Sequence, residues 1–108
     1  MFSDLPNMAF TVGYTNSSWT LKVDLTANYV CRLLNHMKKH RYASVMPRLK
    51  GTVEQEPLLD FDAGYVLRSR SQFPKQGNRL PWKNYQNYIR DFISLRLGKL
   101  RDEELEFQ

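Results

Sequence analysis

Met8-Ala9-Phe10-Thr11-Val12-Gly13-Tyr14-Thr15-Asn16-Ser17-Ser18-Trp19-Thr20-Leu21-Lys22 is the stretch on which the reading of this chain turns. The Pro6-Asn7 turn signal, the apolar run from Met8 to Val12 and the stop at Gly13 together predict a short buried strand. Asn16, Ser17 and Ser18 then offer three N-cap oxygens just ahead of a helical pattern. A strand, a tight polar turn and a helix start aim the free N–H groups of the helix at whatever sits above the strand end. Cofactors bind at that position in open α/β folds. No glycine-rich loop occurs anywhere in the chain to open such a fold. The sequence therefore reads as the closing segment of a cofactor-binding domain.

Downstream, Val23, Ala27, Val30, Leu34 and Met37 recur at three- and four-residue steps and define one apolar helix face. Asp24 lies near the first turn, and Lys38, Lys39, His40 and Arg41 crowd the last, which suits the helix dipole. The pattern predicts a helix from about Leu21 to His40. Ser44 to Pro47 and Thr52 to Glu54 read as short extended pieces around a Lys50-Gly51 turn, and Pro47 and Pro57 argue against central strands. Asp60 or Asp62 is placed to cap a short helix from about Phe61 to Gln72. Phe73 to Pro81 is a loop punctuated by two prolines and a glycine. A last helix is expected from Pro81-Trp82, with Pro81 near its first position, Trp82, Tyr85, Ile89, Phe92 and Ile93 as its apolar stripe, and Gly98 as its stop. The fold class is α+β and mostly helical: a short N-terminal strand, two long helices and one shorter helix, in a single unit over residues 1–108. No internal repeat or low-complexity segment is present.

At 108 residues, with 42% hydrophobic and 13% aromatic side chains, the chain has the means for one core and not for two. No apolar run approaches the roughly 18 residues a membrane span needs, and no secretory pattern opens the sequence. The single cysteine, Cys31, excludes an internal disulfide and fits a reducing cytoplasm. The net charge of +5 is unevenly spread. Nine of the basic residues fall between Ala63 and Arg101, where Asp91 is the lone acid, and the tail then reverses sign with Asp102, Glu103, Glu104 and Glu106. Such a block suits a phosphate-bearing ligand, a nucleic acid or an acidic protein surface, or is simply a solvated face.

Candidate chemistry is sparse. His36 and His40 share the spacing of a metal pair, but Cys31 points to a different side of the helix, so surface histidines and a buried cysteine are the simpler reading. Ser17 and Ser18 lack a nucleophile elbow and read as helix caps. Glu54/Glu56 and Asp60/Asp62 lie in turn-like segments, away from any enclosed site for acid–base work. Trp82 to Arg90 interleaves aromatics with cations, as a nucleic-acid platform does, yet at helical spacing it is more simply a core stripe. The loop Pro74-Lys75-Gln76-Gly77-Asn78-Arg79 combines two cations, two amides and a glycine. It suits either an anion clamp or a rigid connector.

Taken together, Pro6 to Lys22, Asp24-Leu25 and Tyr29 to Asn35 resemble the closing stretch of the FAD domain in bacterial class B flavin monooxygenases of the Baeyer–Villiger type. Phe61, Gly64-Tyr65-Val66, Leu67-Arg68, Pro74 to Gly77, Arg79, Pro81-Trp82 and Gln86 to Asp91 extend the resemblance almost to the end of the chain. The resemblance implies a parent enzyme that binds FAD and NADPH, activates oxygen on the flavin, and oxygenates ketones or thioethers. It places Gly13, Tyr14, Thr15 and Asn16 in a turn beside the flavin, and Ser17 and Ser18 at the start of a helix whose N-terminus faces the isoalloxazine ring. Helix N–H groups there stabilise negative charge on a reduced ring.

The family's Gly-x-Gly-x-x-Gly fingerprints and its Baeyer–Villiger signature are absent from these residues, and Arg79 does not take the place of the family's catalytic arginine. The expectation is a C-terminal fragment that holds no cofactor and does not turn over alone. Its partners would be the upstream FAD- and NADPH-binding part and, in its absence, a second copy in a homodimer or domain swap. No membrane partner is expected, and nucleic acid is not favoured. The alternative is a small basic module that binds nucleic acid or protein.

Overall fold

The computed structural model describes residues 2–58, 64, 68, 70–100 and 102–108. Helix α1 spans Trp19–His40, starting two residues before the expected Leu21. Lys38, Lys39 and His40 fill its last turn, beside the negative end of the dipole. It closes on Arg41 in the left-handed region, with φ 60°. The Arg41 N–H donates to Lys38 O, and the Tyr42 N–H reaches back to Met37 O at 2.9 Å. These bonds satisfy the orphan carbonyls of the last turn.

The face that α1 buries is not the one its apolar spacing predicts. Of Val23, Ala27, Val30, Leu34 and Met37, only Met37 is buried. Val23 and Leu34 are exposed, Leu34 by 57%. The face turned to the rest of the unit carries Lys22, Leu25, Tyr29 and Arg32, which recur at three- and four-residue steps of their own. Leu25 is fully buried there. Lys22 and Arg32 are held by ion pairing and hydrogen bonds to residues 91–98.

Strand β1, Val45–Pro47, pairs antiparallel with a C-terminal strand over Leu105–Phe107, in the register Val45↔Phe107, Met46↔Glu106 and Pro47↔Leu105. Met37, Val45 and Leu105 form the buried cluster between this ribbon and α1, with Leu33, Tyr42 and Phe107 against it. The other edge of β1 is covered by the N-terminal turns. Asn7 N–H donates to Val45 O at 2.9 Å, Asp4 N–H to Pro47 O at 2.8 Å, and Val45 N–H to Asn7 Oδ1 at 3.0 Å. Pro47 has no N–H to lose on that edge, which is why a proline is tolerated here. Outside this edge, Arg48 bridges Asp4 and Glu106.

The expected Met8–Val12 strand does not form. Residues 8–14 make no ladder, and Met8 and Phe10 are exposed. A strand exists through its partner's hydrogen bonds. Among the described residues the nearest edge, that of β1, is already taken by Asp4 and Asn7.

The last helix is also shorter than expected. Trp82 sits in a turn, its N–H donating to Arg79 O. Helix α2 begins only at Tyr88, as a four-residue α-turn over Tyr88–Asp91 that runs directly into a π-helix over Phe92–Leu97. Gln86 explains the late start: its φ of 53° is left-handed and interrupts any right-handed run through Tyr85. Asn87 then caps α2, accepting the Arg90 N–H at 3.1 Å. Gly98 ends the π-helix as expected. Arg32 closes it, donating to the carbonyls of Leu95, Arg96 and Gly98 at 2.7–2.9 Å. The expected stripe is split: Ile89 and Ile93 face solvent, and Ile89 is 70% exposed.

These elements form one compact unit, Met1–Lys50 with Tyr85–Gln108; residues Gly51–Asn84 form a second. In the second unit, β2 (Glu56–Pro57) pairs antiparallel with β3 (Lys75–Gln76); the C-terminal strand Leu105–Phe107 is β4. Gln76 ties this unit together: its amide donates to Pro57 O at 3.0 Å and accepts the Asn84 N–H at 2.8 Å. Gly77 packs against Trp82 and Val53, and an ideal Cβ there would lie 2.8 Å from the Trp82 Cβ. The expected extended piece at Thr52–Glu54 is not a strand. Most of the expected Phe61–Gln72 helix and its Asp60 or Asp62 cap lie outside the described residues; its end is a 3-10 turn at Arg70–Gln72. Among the described residues the fold is α+β, with one long helix, one short composite helix and two-stranded ribbons in place of the expected N-terminal strand and second long helix.

Candidate functional site

The turn that precedes α1 is built from both ends of its unit. Gly13 and Tyr14 are buried, whereas Thr15, Asn16, Ser17 and Ser18 are exposed. Gly13 lies under the Trp19 indole so closely that a Cβ would collide with the ring. Only glycine allows that approach. On its other side the Gly13 carbonyl accepts a hydrogen bond from the Gln86 amide at 3.2 Å, and the same amide accepts the Thr15 N–H at 2.8 Å. The Gln86 side chain therefore pairs with the turn as a neighbouring strand's peptide group would.

Tyr14, between these two residues, is 2% exposed. Its hydroxyl donates to Asp91 Oδ2 at 2.6 Å. Lys22 Nζ donates to the same oxygen at 2.7 Å and sits 5.5 Å from the centre of the Tyr14 ring. Tyr88 meets the ring edge-on. Burial first, and then the Asp91 hydrogen bond and charge, push the Tyr14 phenol far above its ordinary range. Tyr14 is consequently a fixed donor, and Asp91 is held by two short charge-assisted bonds in a nearly dry setting.

The six predicted site residues thus divide into two groups. Gly13 and Tyr14 are internal supports, and the Tyr14 side chain points into the protein at Asp91. Thr15, Asn16, Ser17 and Ser18 present their polar groups to solvent at the α1 N-terminus. Ser18 occupies the N-cap position with an extended backbone, but it makes no side-chain cap bond. Its hydroxyl shares a hydrogen bond with that of Thr20 instead, at 2.7 Å. The expected serine cap is therefore absent, which leaves the N-terminal N–H groups of a 22-residue helix without a side-chain acceptor from Ser18.

Gln86, Asp91 and Lys22 are the residues that sequence reasoning missed. Asp91 did leave a signal, as the lone acid in a long basic block. Gln86 left none, because a left-handed glutamine is not legible from residue type.

Other candidates are placed differently. Trp82 is 8% exposed, the Arg90 guanidinium covers the Tyr85 ring at 3.8 Å, and Tyr88 is exposed. The His36 and His40 rings lie 4.3 Å apart, tilted, with Phe107 edge-on to His36 and Tyr42 stacked on His40; Cys31 is exposed and not buried as expected. No group of three or more metal-ligating side chains occurs among the described residues. Glu56 pairs with Lys83 at 3.0 Å. No helix among the described residues is long and apolar enough to cross a membrane.

The sequence is 53% identical over 108 residues to the FAD-containing monooxygenase EthA of Mycobacterium tuberculosis, an alignment that takes in 99% of this chain and 22% of that protein. The chain matches the C-terminal segment of EthA-like monooxygenases. EthA of Mycolicibacterium smegmatis is 44% identical over the same shares of the two chains. An Acinetobacter protein named as an FAD-binding monooxygenase, AlmA, is 42% identical over 109 residues. The EthA-like segment spans about a fifth of the length of the relatives it matches, 22% in each case. No family model matches it, and no solved structure does.

Proposed function

We propose that this chain forms the C-terminal part of an FAD- and NADPH-dependent monooxygenase acting on ketones or thioethers in the cytoplasm, and that it walls one edge of the flavin. In this reading residues 1–41 close the FAD domain of a two-dinucleotide flavoprotein fold, and residues 42–108 extend it. Bound FAD, reduced by NADPH, supplies the oxygen-activating chemistry. The residues present fit such a group: Thr15, Asn16, Ser17 and Ser18 are exposed, and no Ser18 side chain caps the helix behind them. Hydroxyl, amide and helix N–H donors in that setting favour an electron-rich ring edge. Gly13 and Tyr14 hold the turn from beneath. The observation that carries this reading is the likeness to FAD-linked monooxygenases along 99% of the chain.

The same reading names a partner. Trp19, Val23 and Leu34 are exposed along α1, and the upstream FAD- and NADPH-binding part covers them. Alone, the chain has no glycine-rich cradle for a pyrophosphate, so it holds no FAD, does not turn over, and self-associates through this stripe.

A chimera tests the function. The chain replaces the matching C-terminal part of Mycobacterium tuberculosis EthA, and flavin content and NADPH-driven oxygen uptake are measured. The proposal predicts one FAD per chimera and oxygen uptake above the flavin-free background. A chimera that purifies folded and free of flavin contradicts it.

A further inference from the structure

Three consecutive residues of the turn are gripped by two side chains from the far end of the sequence. Gln86 bonds the backbone of Gly13 and Thr15, and Asp91 bonds the hydroxyl of Tyr14. Lys22 ties the same Asp91 oxygen to the second turn of α1. Asn87 starts α2 between the two gripping residues, and Asp91 is the last residue of that helical turn. The turn therefore keeps this shape only while residues 86–91 stay docked, and those residues stay docked in part because the turn is there.

Gln86 sits at φ 53°, a conformation that a non-glycine residue adopts at a cost. Asn and Gly tolerate that region best. A glutamine here points to a role for its amide, which is long enough to donate to one peptide and accept from another.

We propose that Gln86 and Asp91 are positioning residues that couple docking of α2 to the conformation of the cofactor-side turn. This rests on the flavin-wall reading for what occupies the turn, and on the hydrogen bonds alone for the clamp itself. Coupling of this kind is reciprocal: a ligand that requires the clamped turn also strengthens α2 docking, and a loosened α2 weakens the ligand.

Two measurements separate the parts. The first uses the 108-residue chain and follows amide hydrogen exchange in Gln86→Gly, which keeps the left-handed backbone and deletes the side-chain amide. The Thr15 amide is expected to exchange about tenfold faster, as loss of one hydrogen bond implies, while the central α1 amides keep their rates. Unchanged exchange at Thr15 overturns the clamp. The second uses the EthA chimera with Gln86→Gly, Gln86→Asn and Asp91→Asn. Release of FAD, followed by recovery of flavin fluorescence, is expected to quicken at least about fivefold, and saturation with FAD is expected to slow exchange at Arg90 in the unmutated chimera. FAD that protects residues 13–20 and leaves Arg90 unchanged, or release rates that do not move, overturns the coupling. A chimera that holds no FAD contradicts the flavin-wall reading, and the coupling with it, while the exchange result at Thr15 still decides the clamp.

Discussion

Asp91 Oδ2 is where a buried phenol and a largely buried ammonium meet, and the energetics of the turn follow from that one atom. The Lys22 and Asp91 side chains are only 12% and 10% exposed, so the pair is shielded from solvent screening. Replacing Asp91 by Asn leaves Lys22 without its counter-charge. We expect a loss of about 3 kcal/mol in chemical denaturation, in the range for breaking a buried pair. Tyr14→Phe removes one hydrogen bond and should cost about 1–2 kcal/mol. A double mutant that loses less than the sum would show that the three groups act as one network.

The raised Tyr14 phenol also has a pH signature. Its folded pKa lies above the unfolded value, so its contribution is complete below about pH 10, the ordinary phenol range, and is lost as pH rises through the folded value. Denaturation curves should show stability falling above about pH 10, with a shallower fall in Tyr14→Phe. Tyr29 is also raised, by burial first and then by the charge of Asp102, and it adds to the same fall.

Among the elements, Arg32 does the work that a C-cap does elsewhere. Three carbonyls at the end of the π-helix converge on one guanidinium. Arg32→Ala should cost about 2–3 kcal/mol, judged by hydrogen bonds to a charged group. It should also raise hydrogen exchange across Phe92–Leu97 before it touches β1. Arg32→Lys should recover little, since an ammonium cannot reproduce the planar fork. Full recovery by lysine would show that charge alone matters there.

The elements also show what the sequence could and could not convey. Helix α1 was legible within two residues because twenty-odd positions of periodic pattern and a basic last turn agree. Its buried face is not legible from spacing, because the chain carries two competing stripes. The more apolar one, through Val23 and Leu34, is the one left uncovered. The Gly98 stop was legible, since Gly98 follows the last periodic residue. The start at Tyr88 was not, because it depends on Gln86 adopting a left-handed backbone. The strand at Met8–Val12 failed because apolar content encodes burial and not the identity of a partner, whereas Asp4 and Asn7 took the β1 edge with polar side chains and turns. Of the candidate site, the turn itself could be read locally, but its clamp could not. Its bonds join residues 71–77 positions apart, and no local pattern announces such a pairing.

At the scale of the molecule, the outstanding fact is apolar surface without a cover. Trp19, Val23 and Leu34 on α1 and Ile89, Ile93 and Leu97 on the last helix are all exposed, Leu97 by 69%. Isolated exposed apolar residues are ordinary, but helical stripes of them mark contact surfaces. The chain spans 22% of the relatives it matches, and the account assigns the α1 stripe to the remainder of such a polypeptide. Within the basic block Trp82 is buried and the Arg90 guanidinium covers the Tyr85 ring, whereas Phe73 and Tyr88 are exposed.

The most direct test is to titrate the chain into the separately produced upstream part of Mycobacterium tuberculosis EthA, with FAD present, and to follow heat and flavin fluorescence together. The account predicts saturable one-to-one binding that alters the flavin emission and is abolished by Val23→Asp with Leu34→Asp. Binding that survives those two changes, or no binding by a chain that is folded, would contradict it.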